Sequence, residues 1–212
     1  MRYSDETVDT FDRSAARYAE KYFDLRLYDA YFDQLLNALS HGPIQFLDLA
    51  CGPGLVAAYV RNRRPDAVIV CADRSDAMLS EAAKRVSGAL IAKVDCRDLG
   101  PLDARFDGAA FFFGLSYLDD KDAAVALREM HKILLDEGML LLASVTGDPE
   151  LSGAQANHAG DRVFNFYRMP ETVIEMVLTA GFEVLGSYII PSPANATSPS
   201  SDLVLLVRRK SG

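Results

Sequence analysis

The chain is short of the residues that build metal centres and disulfide frameworks, with three cysteines and three histidines among 212 residues. Cys51, Cys71 and Cys96 stand in no paired spacing, which argues against a disulfide-stapled secreted fold and for a reducing, cytoplasmic setting. His41, His131 and His158 show no metal-ligand spacing, so no metal site is expected. Cationic residues are also few: 22 Lys and Arg stand against 30 Asp and Glu, a net charge of −8. A nucleic-acid partner needs a basic face for its phosphates, and none is expected here. No apolar run reaches the ~18 residues of a membrane span, so no membrane partner is expected. Met1 to Glu6 is polar and acidic, unlike the hydrophobic stretch of a signal peptide.

Half of the chain is hydrophobic, enough for one sizeable core. Residues 1–42 read as an N-terminal helical cap and 43–212 as the main domain. Ser4 is placed to cap a first helix running to Tyr22, with Asp5 and Glu6 favourable at the positive end of its dipole. A second helix runs from Leu25 to just before Gly42-Pro43. Apolar runs at Ile44–Leu49, Ala67–Ala72, Ala89–Val94, Gly108–Phe113 and Met139–Val145 then alternate with helical segments. One of these segments, Asp119–Leu135, carries Ala123, Leu127, Met130 and Leu134 on one stripe. Pro170 opens a last helix and Gly181 closes it. Phe182–Ile190 and Asp202–Arg208 read as an antiparallel pair, because the Pro/Ser-rich connection 191–201 is short, lacks helical pattern and reads as a mobile surface loop. The expected fold is a doubly wound, Rossmann-like α/β domain. Its sheet has seven mostly parallel strands with an antiparallel last strand, and helices on both faces.

The most informative stretch is Phe46-Leu47-Asp48-Leu49-Ala50-Cys51-Gly52-Pro53-Gly54, with Asp73 ending the next apolar run. A strand that stops in a glycine turn and opens a helix is the first βα unit of a nucleotide-binding sheet. The later acid suits the hydroxyls of a ribose. Gly52, Gly54 and Ala57 satisfy the dinucleotide pattern G-x-G-x-x-G/A. Pro53, however, removes a backbone donor from the phosphate cradle, and Asp48 would repel phosphate while suiting a ligand with a positive end.

Leu47 to Gly54 resembles the first motif of the class I S-adenosylmethionine-dependent methyltransferases. Ala72 to Leu79 is similar to the second and Val94 to Leu99 to the third. Phe113 to Leu118, Leu127 to Ala143 and Ala180-Gly181-Phe182 extend the resemblance over about residues 44–208. It implies that Asp48 and the loop Ala50, Cys51, Gly52 and Gly54 border the methionine part of the cofactor, and that Asp73 takes the ribose. Asp95, Cys96 and Arg97 would then edge the adenine, Arg74 and Met78 would flank its ring, and Phe113 and Gly114 would complete the wall. Tyr18, in the first helix, would approach the methionine carboxylate.

Other readings of the same residues stand beside these. Asp73 could cap the helix after it, although Ser75 is better placed to do so. Asp95 could be a solvated strand-end acid. Tyr18, Tyr22, Phe23, Tyr28, Tyr31 and Phe32 recur at helical intervals and could simply pack helices. Cys51, Cys71 and Cys96 all fall at the carboxyl edge of the sheet, around the expected pocket.

The implied activity is in-line methyl transfer from S-adenosylmethionine to a small-molecule acceptor. Tyr117, His158, Tyr167 and Arg168 are candidate acceptor contacts, with Arg168 pairing either a carboxylate substrate or a protein acid. The Asn/Asp-Pro-Pro-aromatic motif of nucleic-acid amino-methylating relatives is replaced by Phe113-Gly114-Leu115-Ser116. A nicotinamide-dependent oxidoreductase is the competing enzyme, since Tyr117 and Lys121 have its Tyr-x-x-x-Lys spacing. A cofactor-binding regulator without catalysis is the competing non-enzyme. Asp73→Ala is expected to weaken cofactor binding and leave the ligand-free protein's stability nearly unchanged.

Overall fold

The computed structural model describes residues 3–22, 26–156, 161–193 and 200–211. Its centre is a sheet of seven strands: β1 (Gln45–Leu49), β2 (Val68–Asp73), β3 (Leu90–Lys93), β4 (Phe106–Phe112), β5 (Leu134–Thr146), β8 (Phe182–Pro191) and β9 (Ser201–Arg209). β6 (Gly153–Ala156) and β7 (Arg162–Asn165) pair separately as a two-stranded antiparallel sheet. The spatial order is β3-β2-β1-β4-β5-β9-β8. β1 to β5 pair in parallel, whereas β9 runs antiparallel to both β5 and β8. The expected seven-stranded, doubly wound sheet with an antiparallel last strand is therefore what forms.

Alternation along the strands decides the two layers. Leu47, Leu49, Phe111, Leu140 and Leu142 face α5 (Asp120–Ile133) and α6 (Pro170–Thr179), where Leu127, Met130, Val173 and Val177 are buried. Phe46, Ile69, Ala110 and Leu141 face the other way, toward α2 (Asp29–Ala38), α3 (Leu55–Arg63) and α4 (Asp76–Arg85). The chain reverses its winding between β1 and β4, so the loops after these strands splay apart at their carboxyl ends and leave a crevice.

Several local expectations need correcting. Ser4 does not cap the first helix: α1 (Tyr3–Tyr22) already includes it, and its buried Oγ has no hydrogen-bond partner among the described residues. α5 stops at Ile133, so Leu134 is a strand residue opposite Phe106 and not part of the helical stripe. β5 is irregular there: its parallel pairing with β4 jumps from Phe106–Leu134 to Gly108–Met139, and Glu137 between them takes a φ of +62°. At Gly138 a Cβ would lie 2.7 Å from the Leu135 carbonyl oxygen. The β6–β7 pair was not expected at all. Phe23 and residues 194–199 of the Pro/Ser-rich connection lie outside the described residues.

α1 buries Ser4, Thr7, Thr10, Ala15 and Ala19, a face of small and hydroxylated residues. Thr7 Oγ1 accepts the Phe164 N–H at 3.2 Å, and Thr10 Oγ1 donates to the Arg162 carbonyl at 2.7 Å, so the helix is held along β7. The Tyr3 ring meets Phe164 and Phe166 at 5.8 and 5.1 Å. On its other side α1 reaches α4: Asp12 Oδ1 accepts from Ser75 Oγ at 2.5 Å and from the Ala77 N–H at 3.1 Å.

Candidate active site

The turn after β1 is built from two glycines with different jobs. Gly54 has a φ of +88°, and a Cβ there would come within 2.8 Å of Val86 Cγ2, so this glycine lets the turn pack on α4. Gly52 has a φ of +51°, and a Cβ there would meet nothing within 4 Å. Its open side faces a crevice instead of protein. Ala50, at φ +53°, and Phe113, at φ +65°, hold the same left-handed conformation without being glycine. Such conformations cost of order 1–3 kcal/mol and persist where the surroundings enforce them. Gly114 follows because a Cβ there would lie 2.2 Å from the Phe111 ring and 2.7 Å from Ala50 Cβ.

Two cavities open over these turns. The larger, about 210 Å³, is bounded by Asp48, Cys51 and Leu55 on one side and by Tyr28, Tyr167 and Asp202 on the other. The smaller, about 120 Å³, is bounded by Asp73, Arg74, Met78 and Cys96 below and by Ser4 and Phe11 of α1 above. They adjoin across Tyr18, Ala50, Gly52, Phe112, Phe113 and Tyr117, which line both. The Phe11 ring sits edge-on to Tyr18 at 5.6 Å and to Tyr117 at 5.1 Å, and so fixes the aromatic partition.

Asp48 and Asp73 bring acidic charge to this crevice, and Arg74 brings a cation to its smaller cavity. Asp48 is 1% exposed; its Oδ2 accepts the Ala57 N–H at 2.9 Å. Burial nevertheless pushes its carboxyl up to about 7. Asp73 accepts the Gly52 N–H through Oδ2 and the Ser75 N–H through Oδ1, both at 2.9 Å. Burial raises its pKa against these bonds. Ser75, not Asp73, is the helix cap: its Oγ accepts the Met78 N–H at 3.1 Å. Burial also raises the Tyr18 and Tyr117 hydroxyls, which are neutral at any physiological pH.

The sequence-picked residues divide into those that line the crevice and those that support it. Gly54 lines neither cavity. Asp95 and Arg97 also lie behind the wall. Burial alone would raise the Asp95 carboxyl, but Arg97 Nε and Nη2 donate to its two oxygens at 2.9 and 2.6 Å and hold it low. Arg97 Nη1 also reaches Asp122 at 2.6 Å. Arg74 lines the smaller cavity while pairing Asp5 at 2.9 Å and Asp95 at 3.3 Å. Arg168 is 3% exposed and lines neither cavity; it serves Asp120 and the carbonyls of Leu115 and Leu118. Lys121 is exposed and also lines neither, so the Tyr117/Lys121 spacing makes no catalytic pair. His158 lies outside the described residues.

Of the thiols, Cys51 lines the larger cavity and Cys96 the smaller, where burial lifts Cys96 to about 12. Cys71 is fully buried inside β2, and its contact with Cys51 raises the Cys51 thiol. Sequence reasoning missed Asp202, Gln155 and Asn165. Asp202 accepts from Tyr28 Oη at 2.6 Å and from Ser192 Oγ at 2.5 Å. Gln155 and Asn165 face each other across the unexpected hairpin, at 2.9 Å.

With this geometry in place, comparison with known proteins bears on the family. Residues 46–138 match the family model described as a methyltransferase domain. The stretch runs from β1 through the glycine turn and α5 into the start of β5. Together with the solved structures, this match supports a class I S-adenosylmethionine-dependent methyltransferase. That is a family of enzymes, and S-adenosylmethionine is its cofactor. A demethylmenaquinone methyltransferase of Thermotoga maritima is 28% identical over 170 residues, covering 69% of this chain and 73% of that protein. A malonyl-[acyl-carrier protein] O-methyltransferase of Dechloromonas aromatica is 35% identical over 106 residues, covering 49% of this chain and 37% of the relative. Among solved structures, the 1,6-didemethyltoxoflavin-N1-methyltransferase of Burkholderia thailandensis superposes with a TM-score of 0.73 at 20% identity, over 99% of this chain and 89% of its own. Likeness at that identity establishes the fold.

Proposed function

We propose that this methyltransferase acts on a small-molecule acceptor, with the cofactor lying across both cavities and the acceptor entering the outer part of the larger one. The residues fit the cofactor on three observations. Gly52 leaves open space where a side chain would stand. Ser4 offers an unpartnered buried hydroxyl at the smaller cavity. Asp48 is a buried carboxylate suited to a cationic ligand group. In this reading Asp73 takes the ribose hydroxyls, while Met78 and Cys96 border the adenine. Asp48, Cys51 and Gly52 border the methionine end, and Tyr18 closes over the sulfur region from α1. Asp95 and Arg97 act from behind, by holding Arg74.

When bound, the cofactor supplies a methyl group already attached to a good leaving sulfur. The protein's task is then to align and desolvate. Positioning of this kind can supply on the order of 7–11 kcal/mol of the barrier. The aromatic partition of Tyr18, Phe113 and Tyr117 excludes water and offers ring faces to a sulfonium, an attraction of about 0.5–2 kcal/mol. α1, hydrogen-bonded along β7 and onto α4, is the cap of the site within residues 1–42. α2 belongs to the sheet's own core.

The single observation that carries the small-molecule reading is size: the larger cavity, about 210 Å³ and shared with the methionine end of the cofactor, is bounded by α1, the β6–β7 hairpin and the start of β9. The name of the demethylmenaquinone relative is compatible with it. The test is to incubate the protein with S-adenosylmethionine labelled in the methyl group and a cell extract, then fractionate the products. Label is expected in the low-molecular-mass fraction. Label confined to protein or nucleic acid would contradict the proposal.

A further inference from the structure

The outer half of the larger cavity has a chemistry of its own. Beyond the shared partition its wall includes the rings of Tyr22, Tyr28 and Tyr167, surfaces suited to stacking or edge contact with another ring. Gln155 and Asn165, from the two strands of the hairpin, supply a polar edge. Asn165 Nδ2 donates to Gln155 Oε1 at 2.9 Å, and Gln155 Nε2 donates to the Tyr167 hydroxyl at 2.9 Å. That ordering leaves the Tyr167 O–H and the second Gln155 amide hydrogen available to a neutral oxygen or nitrogen of a ligand.

The charged groups of this cavity are carboxylates. Asp202 is 1% exposed, with each oxygen already accepting one hydroxyl, and Asp48 lies across from it on β1. Among the described lining residues none is Lys, Arg or His. Arg168, the cation that the sequence offered for an acidic substrate, is consumed by Asp120 and two carbonyls. An anionic acceptor placed here would be desolvated beside buried carboxylates without a counter-ion from the described lining residues, which is costly.

Resting on the reading of this cavity as the acceptor site, we infer that the acceptor is a flat, uncharged aromatic bearing a hydroxyl or ring nitrogen, and not a carboxylate or phosphate. The Gln155–Asn165–Tyr167 chain recognises its polar edge. Gln155 is therefore a specificity-determining position.

Two probes of identical ring and hydroxyl test the charge rule: 2-naphthol and 6-hydroxy-2-naphthoate, which differ by one carboxylate. Each is titrated calorimetrically into the full chain after saturation with S-adenosylhomocysteine. 2-Naphthol is expected to bind at least tenfold more tightly. Gln155→Arg, a substitution on a half-exposed strand, is expected to close or reverse that gap. Naphthoate binding as tightly as naphthol to the wild type would overturn the inference. So would neither probe binding to a protein that has taken up S-adenosylhomocysteine, or a gap unchanged in the arginine variant. Failure of S-adenosylhomocysteine itself to bind would instead overturn the underlying assignment of the site, and the inference with it.

Discussion

Asp73 Oδ2 accepts the Gly52 N–H at 2.9 Å, joining the end of one central strand to the glycine turn that follows its neighbour. The same carboxylate holds the Ser75 N–H through its other oxygen. One side chain thus shapes both loops of the smaller cavity before any ligand arrives.

Asp73→Ala should therefore cost stability as well as binding, contrary to what its strand-end position alone suggests. Hydrogen bonds to a charged acceptor contribute roughly 1.5–3 kcal/mol each. The variant should melt several degrees lower than the wild type without ligand. It should also bind S-adenosylhomocysteine about a hundredfold more weakly, at ~1.4 kcal/mol per tenfold. A normal melting temperature together with normal binding would remove Asp73 from both roles.

Asp12 and Ser75 should prove coupled. Ser75→Ala removes the α4 cap, worth about 1 kcal/mol, and also the 2.5 Å bond to Asp12. In a double-mutant cycle measured by urea denaturation, the pair should show an interaction of about 0.5–3 kcal/mol. Strict additivity would mean that α1 does not dock on α4 through this contact.

The two glycines of the turn should separate stability from binding. Gly54→Ala forces a Cβ to within 2.8 Å of Val86 at a φ of +88°, and overpacking of that kind typically costs about 1–3 kcal/mol. Gly52→Ala meets no protein atom, so its cost is conformational, about 1–2 kcal/mol, while its new methyl group projects into open space at the crevice. Gly54→Ala should be the less stable variant, and Gly52→Ala the one with the larger loss of S-adenosylhomocysteine affinity. The reverse ranking would contradict the separate jobs assigned to them.

Asp48 should leave a signature in the pH dependence of stability. Its folded carboxyl titrates at about 7, against 3.8 ordinarily. Between those values the folded protein keeps a proton that the unfolded chain has released. The contribution of this group to stability therefore falls as pH rises across that window and levels off above it. Asp48→Asn removes the fall, so the variant should gain on the wild type more at pH 8 than at pH 5 in denaturant titrations. An equal difference at both pH values would mean that Asp48 titrates normally.

The sheet and the glycine turn were legible in the sequence because they depend on short-range pattern. Buried parallel strands read as apolar runs, and Gly52 and Gly54 sit where the chain must take positive φ. What escaped depends on contacts between distant residues. The β6–β7 hairpin is two four-residue strands, and Gly153-Ala154-Gln155-Ala156 carries no apolar alternation. Asp202 looked like the polar start of an apolar strand; only the fold brings Tyr28 to it. Arg168 looked available to a substrate because nothing local shows that Asp120 and two carbonyls will take its donors. Ser4 has the chemistry of a cap, yet α1 already contains it, and its hydroxyl has no partner among the described residues at the smaller cavity.

The central claim is that this crevice holds S-adenosylmethionine and not a dinucleotide. It is tested most directly by calorimetric titration of the purified protein with S-adenosylhomocysteine, NADH and NADPH in parallel. S-adenosylhomocysteine should show saturable one-site binding in the micromolar range, weakened about a hundredfold in Asp73→Ala at ~1.4 kcal/mol per tenfold, and neither nicotinamide dinucleotide should give heat. Micromolar binding of NADH or NADPH with no response to S-adenosylhomocysteine would contradict it.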